Sequence, residues 1–308
     1  MSLSLFLVQS LNGLQFGILL FLIAAGLTLV FGVMGFINLA HGVQYMIGAY
    51  LTFMFYQVTG NFFTALILGL VAALAIGLAC EILIFRHLYA RDHLDQVLAT
   101  FGIILFVNEA VKAIWGPSSL ILPPPESLSW SFEIIEGLQY PIYRLAVIAV
   151  GIAVAFGLYI IVFKTRVGML IRAGATNPDM VSALGVDIKR LFMIVFGFGA
   201  MLAGFAGAIA APMFSLEPSM GDDLLIVVFV VIIIGGIGSI RGAFIAAVMV
   251  GMLETLGRSV ATDLLKLVFD ASAANQIGPA LSSMLIYILM AAILFFKPEG
   301  LFPARGGS

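Results

Sequence analysis

The sequence predicts an all-α polytopic membrane protein with eight or nine transmembrane helices, some of them interrupted by glycine. Three observations carry that prediction. Hydrophobic residues make up 62% of the 308 positions and charged residues only 10%, whereas soluble domains have about 25% charged residues. Mean hydropathy is +1.18. The apolar residues also gather in runs of about 20, which suits helices rather than the alternation of barrel strands over about 10 residues. With so few charges available to cover a surface, most of the exterior must face lipid, and residues 1–308 read as a single membrane domain.

Taken in order, the apolar runs place helices at about 11–32, 39–57, 62–85, 95–115, 141–163, 191–212, 223–239, 243–258 and 279–296. The N-terminus, MSLSLFLVQSLNG, lacks the charged start and small-residue cleavage site of a signal peptide, so the first helix is expected to be retained. The count falls at eight or nine according to whether 223–258 forms two full spans or a shorter broken pair. Pro123-Pro124-Pro125 predicts a stiff, extended stretch in the outer loop at about 116–140. Residues 259–278 carry Asp263, Lys266, Asp270 and Asn275 and read as an amphipathic piece at the outer interface, too polar to span.

Lysine and arginine in short loops set the orientation. Arg86 and Arg91 occupy one loop, Lys164, Arg166, Arg172, Lys189 and Arg190 the loop at 164–190, and Lys297 and Arg305 the tail. The loops with Glu126, Glu133 and Glu136, and with Glu217 and Asp222, contain no basic residue. The basic loops are therefore expected inside and the acidic ones outside, with nine spans placing the N-terminus outside and the C-terminus inside. Arg144, at the outer start of a span, is an exception that can snorkel.

No Asp, Glu, Lys or Arg precedes Glu81, yet GFINLAHGVQYMIG at 35–48 holds Asn38, His41 and Gln44 among Gly35, Gly42 and Gly48. On a helix, these three and Tyr45 would share one side. A polar stripe in a membrane helix faces the bundle interior or an aqueous route, so it either lines a pathway or bonds to neighbouring helices. The second interruption is GGIGSIRG at 235–242, where Gly235, Gly236 and Gly238 weaken a regular helix at about 1 kcal/mol each. It is either an unwound segment on a transport route or a tight turn between helices. Small residues at 197–211 (Ala200, Gly204, Ala208; Ala203, Gly207, Ala211) and at Gly13 and Gly17 suit close helix packing, a subunit interface or a pathway seam.

Several chemistries are poorly supported. Arg241 stands where a dinucleotide fingerprint needs glycine, and no P-loop occurs. A single His without acidic or Cys neighbours makes a poor metal site, and neither an HExxH nor a Ser-His-Asp context appears. Asp222-Asp223 reads as a loop, Cys80 as a buried, inert thiol, and no basic run suits nucleic acid. Glu254 can pair with Arg258 four residues on.

The loop at 164–190 has local order of its own. Asn177 and Pro178 read as the cap and first position of a helix, Asp179 suits its positive end, and Gly185 provides the stop. Met180, Val181 and Leu184 supply a short apolar face on two turns too short to stand alone. That face packs either on the base of the membrane domain or in the groove of a cytoplasmic partner.

Six stretches together resemble the LivH-type permease subunits of bacterial branched-chain amino acid ABC transporters. They are GLTLVFGVMGFINLAHGVQYMIGAY at 26–50, LATFGIILFVNEAVKAIWGP at 98–117, RAGATNPDMVSALGVD at 172–187, FGFGAMLAGFAGAIAA at 196–211, GGIGSIRGA at 235–243 and FKPEGLF at 296–302. The resemblance implies an ABC importer permease fold in the bacterial inner membrane and no bond chemistry in this chain, with ATP bound by partners. Its implied partners are a second, LivM-like permease, two cytoplasmic LivG/LivF-like ATPase subunits and a periplasmic substrate-binding protein. It makes 172–187 the coupling helix, with Ala183 and Gly185 at its core. The family commonly has an acidic residue where Val43 stands and another near Thr176. Relatives on this scaffold also import urea or short-chain amides, and a stand-alone secondary transporter or channel is the remaining alternative.

Overall fold

A computed structural model describes residues 3–135 and 138–303, so Glu136 and Arg305 lie outside the described residues. The helices in order are α1 (Leu3–Met34), α2 (His41–Thr59), α3 (Phe62–Leu83), α4 (His93–Trp115), α5 (Ile142–Lys164), α6 (Arg166–Thr176), α7 (Pro178–Ala183), α8 (Ile188–Ala210), α9 (Met220–Gly235), α10 (Ile240–Leu265) and α11 (Ala271–Phe296). Among the described residues, α1, α3, α4, α5, α8, α10 and α11 are long and apolar enough to cross a membrane. The shorter α2 and α9, of 19 and 16 residues, lie beside these seven, a count near the eight or nine expected. The doubt over 223–258 resolves into one short helix and one full span.

Two boundary expectations need correcting. Residues 259–278 form no interfacial piece: α10 runs on to Leu265, and α11 starts at Ala271, where the Asp270 carboxylate accepts the Ala273 amide at 2.9 Å. An amphipathic helix end can project beyond the apolar layer, so polarity here marked the rim of two spans. Asp222-Asp223 is not a loop but the first turn of α9, where negative charge suits the positive helix end.

The pattern of long helix, break, short helix and two long helices occurs twice, over 3–115 and 188–296. Contacts along α1 descend α10 in antiparallel order, with Gly13 beside Met252 and Gly17 beside Val248, and Gly32 lies beside Gly238 in the turn ahead of α10. α8 lies on α3 in the same way, with Gly77 beside Ala200 and Gly204 beside Ala73. At the centre α1 and α8 touch at Gly26 and Gly199, and α2 and α9 at Gly42 and Gly221. The first three helices of each half are thus arranged in inverted fashion about those contacts, the architecture of many transporters. The fourth helices differ: α11 packs along α10, whereas α4 stands away from α3.

Small residues make this possible. A methyl group at Gly48 would fall on the Gly204 backbone, and one at Gly207 on the Tyr45 carbonyl. The 197–211 stripe is therefore spent on close packing within the bundle, as are Gly13 and Gly17.

One end of the bundle gathers the Arg86–Arg91 turn, α6, α7 and the α9–α10 turn. The other carries the 116–141 loop, whose Ser131–Ile135 and Leu138–Pro141 pair as antiparallel strands. In-span carboxylates are held close to home: Glu81 pairs with Arg86 at 2.9 Å, Glu109 with Lys112 at 2.6 Å and Glu254 with Arg258 at 2.6 Å. Cys80 is half-buried and unpaired.

Candidate translocation site

The site is the meeting point of α2 and α9. After α1 ends, residues 35–40 leave the helical path and return inward, so that α2 starts beside the Ile23–Gly26 level of α1. His41, wholly buried, fixes this entry: its Nε2 lies 3.1 Å from the Ile23 carbonyl. The break is held from outside by α4, where the Gln96 side-chain oxygen accepts the Ile37 amide at 3.1 Å.

The second break, at 211–219, brings the chain back from the acidic end to start α9. Leu216 pairs with Leu120 through two backbone hydrogen bonds of 2.8 and 2.9 Å, and Ser219 takes a left-handed conformation with φ of 80°. The Asn108 amide then donates to Asp222 at 2.7 Å. Both breaks are therefore tied to α4 or its extension. The first turns of α2 and α9 press together without side chains between them, since a Cβ at Gly42 would strike the Gly221 carbonyl and the reverse.

The four polar residues singled out in the first break do not share one helix face. Asn38 lies ahead of α2, fully buried, with neither amide atom hydrogen-bonded. Gln44 turns towards α3 and α4, where with Val43 and Cys80 it lines a narrow, mostly apolar cleft, and its side-chain oxygen has no partner. Tyr45 turns the other way, into a cavity of about 230 Å³ between α1 and the second break. An unpartnered buried polar group costs about 1–3 kcal/mol, so this junction carries several polar groups whose bonding is not completed by the chain. Val43 belongs to the cleft and not to this cavity.

Gly235, Gly236 and Gly238 sit at the basic end, away from the junction, in the turn joining α9 to α10. Gly236 and Gly238 take φ of 98° and 80°, and Ser239 caps α10 by accepting the Gly242 amide at 3.1 Å. The tail closes over this turn: the Leu301 and Phe302 amides donate to Ile234 and Gly235 at 2.8 and 3.0 Å.

The 164–190 segment forms α6, α7 and the start of α8. The Asn177 side chain caps α7 by accepting the Met180 amide at 2.9 Å, with Pro178 next. At its end, Gly185 donates to Ser182 at 2.9 Å and Val186 to Val181 at 3.3 Å, with Gly185 at φ of 89°. That is a Schellman closure. Val181 is buried, whereas Met180 and Leu184 are 59% and 78% exposed, and Asn177, Pro178, Ala183 and Gly185 are exposed beside them.

Sequence reasoning missed Gln96, Asn108 and the Phe214–Asp223 side of the cavity. A signal existed for α4, since Gln96, Thr100 and Asn108 repeat on one helical face and all are buried. Among the described residues, no group of three or more His, Cys, Asp or Glu side chains is placed to hold a metal ion.

No solved structure matches the chain. It is 26% identical to the high-affinity branched-chain amino acid transport permease protein BraD of Pseudomonas aeruginosa, covering 96% of this chain and 95% of that protein. It is 30% identical to LivH of Escherichia coli, a permease protein of the same description, over 82% of this chain and 85% of LivH. It also matches LivM of Escherichia coli at 26% identity, over 92% of this chain and 67% of LivM. The model of the permease component of branched-chain amino acid transport systems matches residues 9–294, and the chain belongs to that permease family.

Proposed function

We propose that the chain is the membrane permease subunit of an ATP-binding cassette importer carrying branched-chain amino acids across a bacterial inner membrane. The observation that carries this reading is the pairing of two inverted half-helices at the bundle centre with a capped helix at the basic end that leaves Met180 and Leu184 uncovered. The half-helix junction supplies a route whose polar groups await partners. The short helix supplies a place for a cytoplasmic engine to push. The names of BraD and LivH supply the substrate class.

In this reading the chain makes and breaks no covalent bond. It works beside a LivM-like permease, two LivG/LivF-like ATPase subunits that bind the ATP, and a periplasmic binding protein. The basic end is cytoplasmic. ATP-driven closure of the ATPase pair moves α7, and α6 and α8 pass the displacement to the bundle, shifting it between outward- and inward-open states. Asn38, His41, Gln44 and Tyr45 border the route, and the tail-clamped turn at Gly235–Gly238 forms its inner end.

The test is leucine uptake into proteoliposomes holding the chain with its partner subunits. Uptake is expected only with ATP and both ATPase subunits present. Uptake by the permeases alone, driven by an ion gradient, would overturn the reading.

A further inference from the structure

The cavity of about 230 Å³ beside the junction has a wall and a rim of opposite character. Phe16, Leu19, Leu20 and Ile23 of α1 form an apolar wall, and Leu19, Leu20 and Ile23 are almost wholly buried. The rim, at the acidic end, carries the exposed carboxylates of Glu217 and Asp223, with no cation within ion-pair distance among the described residues. Between them stands Tyr45, 2% exposed and without a hydrogen bond among the described residues.

From this we infer that the permease itself holds a substrate subsite for one aliphatic α-amino acid. The ammonium group sits between Glu217 and Asp223, the branched side chain lies on the α1 wall, and the Tyr45 hydroxyl donates to the carboxylate. The wall takes up apolar surface as any core does. The two rim carboxylates repel each other less when a cation lies between them. The volume holds a molecule of leucine's size and is too small for a peptide of several residues. Urea and short amides have neither the cation nor the branched chain that these surfaces complement. This subsite rests on the import function proposed above and deepens it, because selection would then occur in the membrane as well as in the external binding protein.

The experiment uses the chain assembled with its partner subunits in nanodiscs, without the binding protein, and measures equilibrium binding of radiolabelled leucine. Binding is expected to saturate and to be displaced by 3-methylbutylamine, which keeps the ammonium and branched chain, but not by acetamide. Combining Glu217→Gln with Asp223→Asn is expected to weaken it by about tenfold or more, the loss of charge-assisted hydrogen bonds. Leu224→Trp, at the half-buried rim, is expected to block it by filling the space. Glu109→Gln, which removes a charge elsewhere at the same end, is expected to leave it unchanged. Unaltered binding in the double variant and in Leu224→Trp, or displacement by acetamide as good as by the amine, overturns the subsite. Leucine uptake in the same preparation separates the two ideas: normal uptake with no such binding removes the subsite alone, whereas binding without ATP-dependent uptake removes the import function.

Discussion

The breaks at 35–40 and 211–219 return the chain to the same central contact, yet they are built from different chemistry. The first is neutral and dry: Asn38 and His41 are fully buried, and its backbone leans on the Gln96 amide. The second is acidic and open: Glu217 and Asp223 are exposed, Ser219 is held in a left-handed turn, and a backbone pair with Leu120 supplies the support. Inverted repeats share a path for the chain without sharing side chains. Changes at the first break should be felt through packing and unmet hydrogen bonds, and changes at the second through charge.

The central contact is where the two breaks should behave alike. Gly42→Val and Gly221→Val each drive a side chain into the facing backbone, so each is expected to cost about 3 kcal/mol of stability, at the upper end for overpacking, and to abolish uptake. Thermal unfolding in detergent measures both, and tolerance of one but not the other breaks the symmetry. Gly185→Pro calibrates them from outside either break. Proline cannot take the left-handed φ that closes α7, so uptake is expected to vanish while the chain still inserts; unchanged uptake contradicts the coupling role.

Smaller effects tell the breaks apart. Gln96→Ala strips the Ile37 amide of its acceptor, and Asn108→Ala strips Asp222 of its donor, each at about 1–3 kcal/mol. Melting curves of the two variants read these losses, one at a backbone amide of the first break and one at a carboxylate that opens α9. The smallest shift in stability belongs to Asn38→Leu, which replaces an unpartnered buried amide with an apolar group of similar volume and is expected to raise stability by about 1 kcal/mol. Uptake should fall in that variant if Asn38 serves the route, and full activity would reduce it to a packing residue.

The long spans, the polar break and α7 were legible in the sequence because their signals are local. A run of apolar residues, an Asn-Pro start and a Gly stop each act within a few residues. The first turn of α9 was not legible, since Asp222 and Asp223 look like loop residues until the helix end they favour is known. The every-third-residue spacing of Asn38, His41 and Gln44 suggested one stripe, but the helix starts at His41, so Asn38 belongs to the break. What pairs with what across the bundle, such as Gly48 with Gly204 or Asn108 with Asp222, depends on contacts more than a hundred residues apart in the chain. No local pattern encodes them.

α4 touches the rest of the bundle sparingly, yet it grips both breaks, at Gln96 and at Asn108. Those grips lie about 18 Å apart along its axis at 1.5 Å per residue. A rigid rod with two attachment points acts as a ruler. The neutral break can move relative to the acidic one only if the rod tilts or one grip lets go, so the length of this helix sets the separation of the two half-helices.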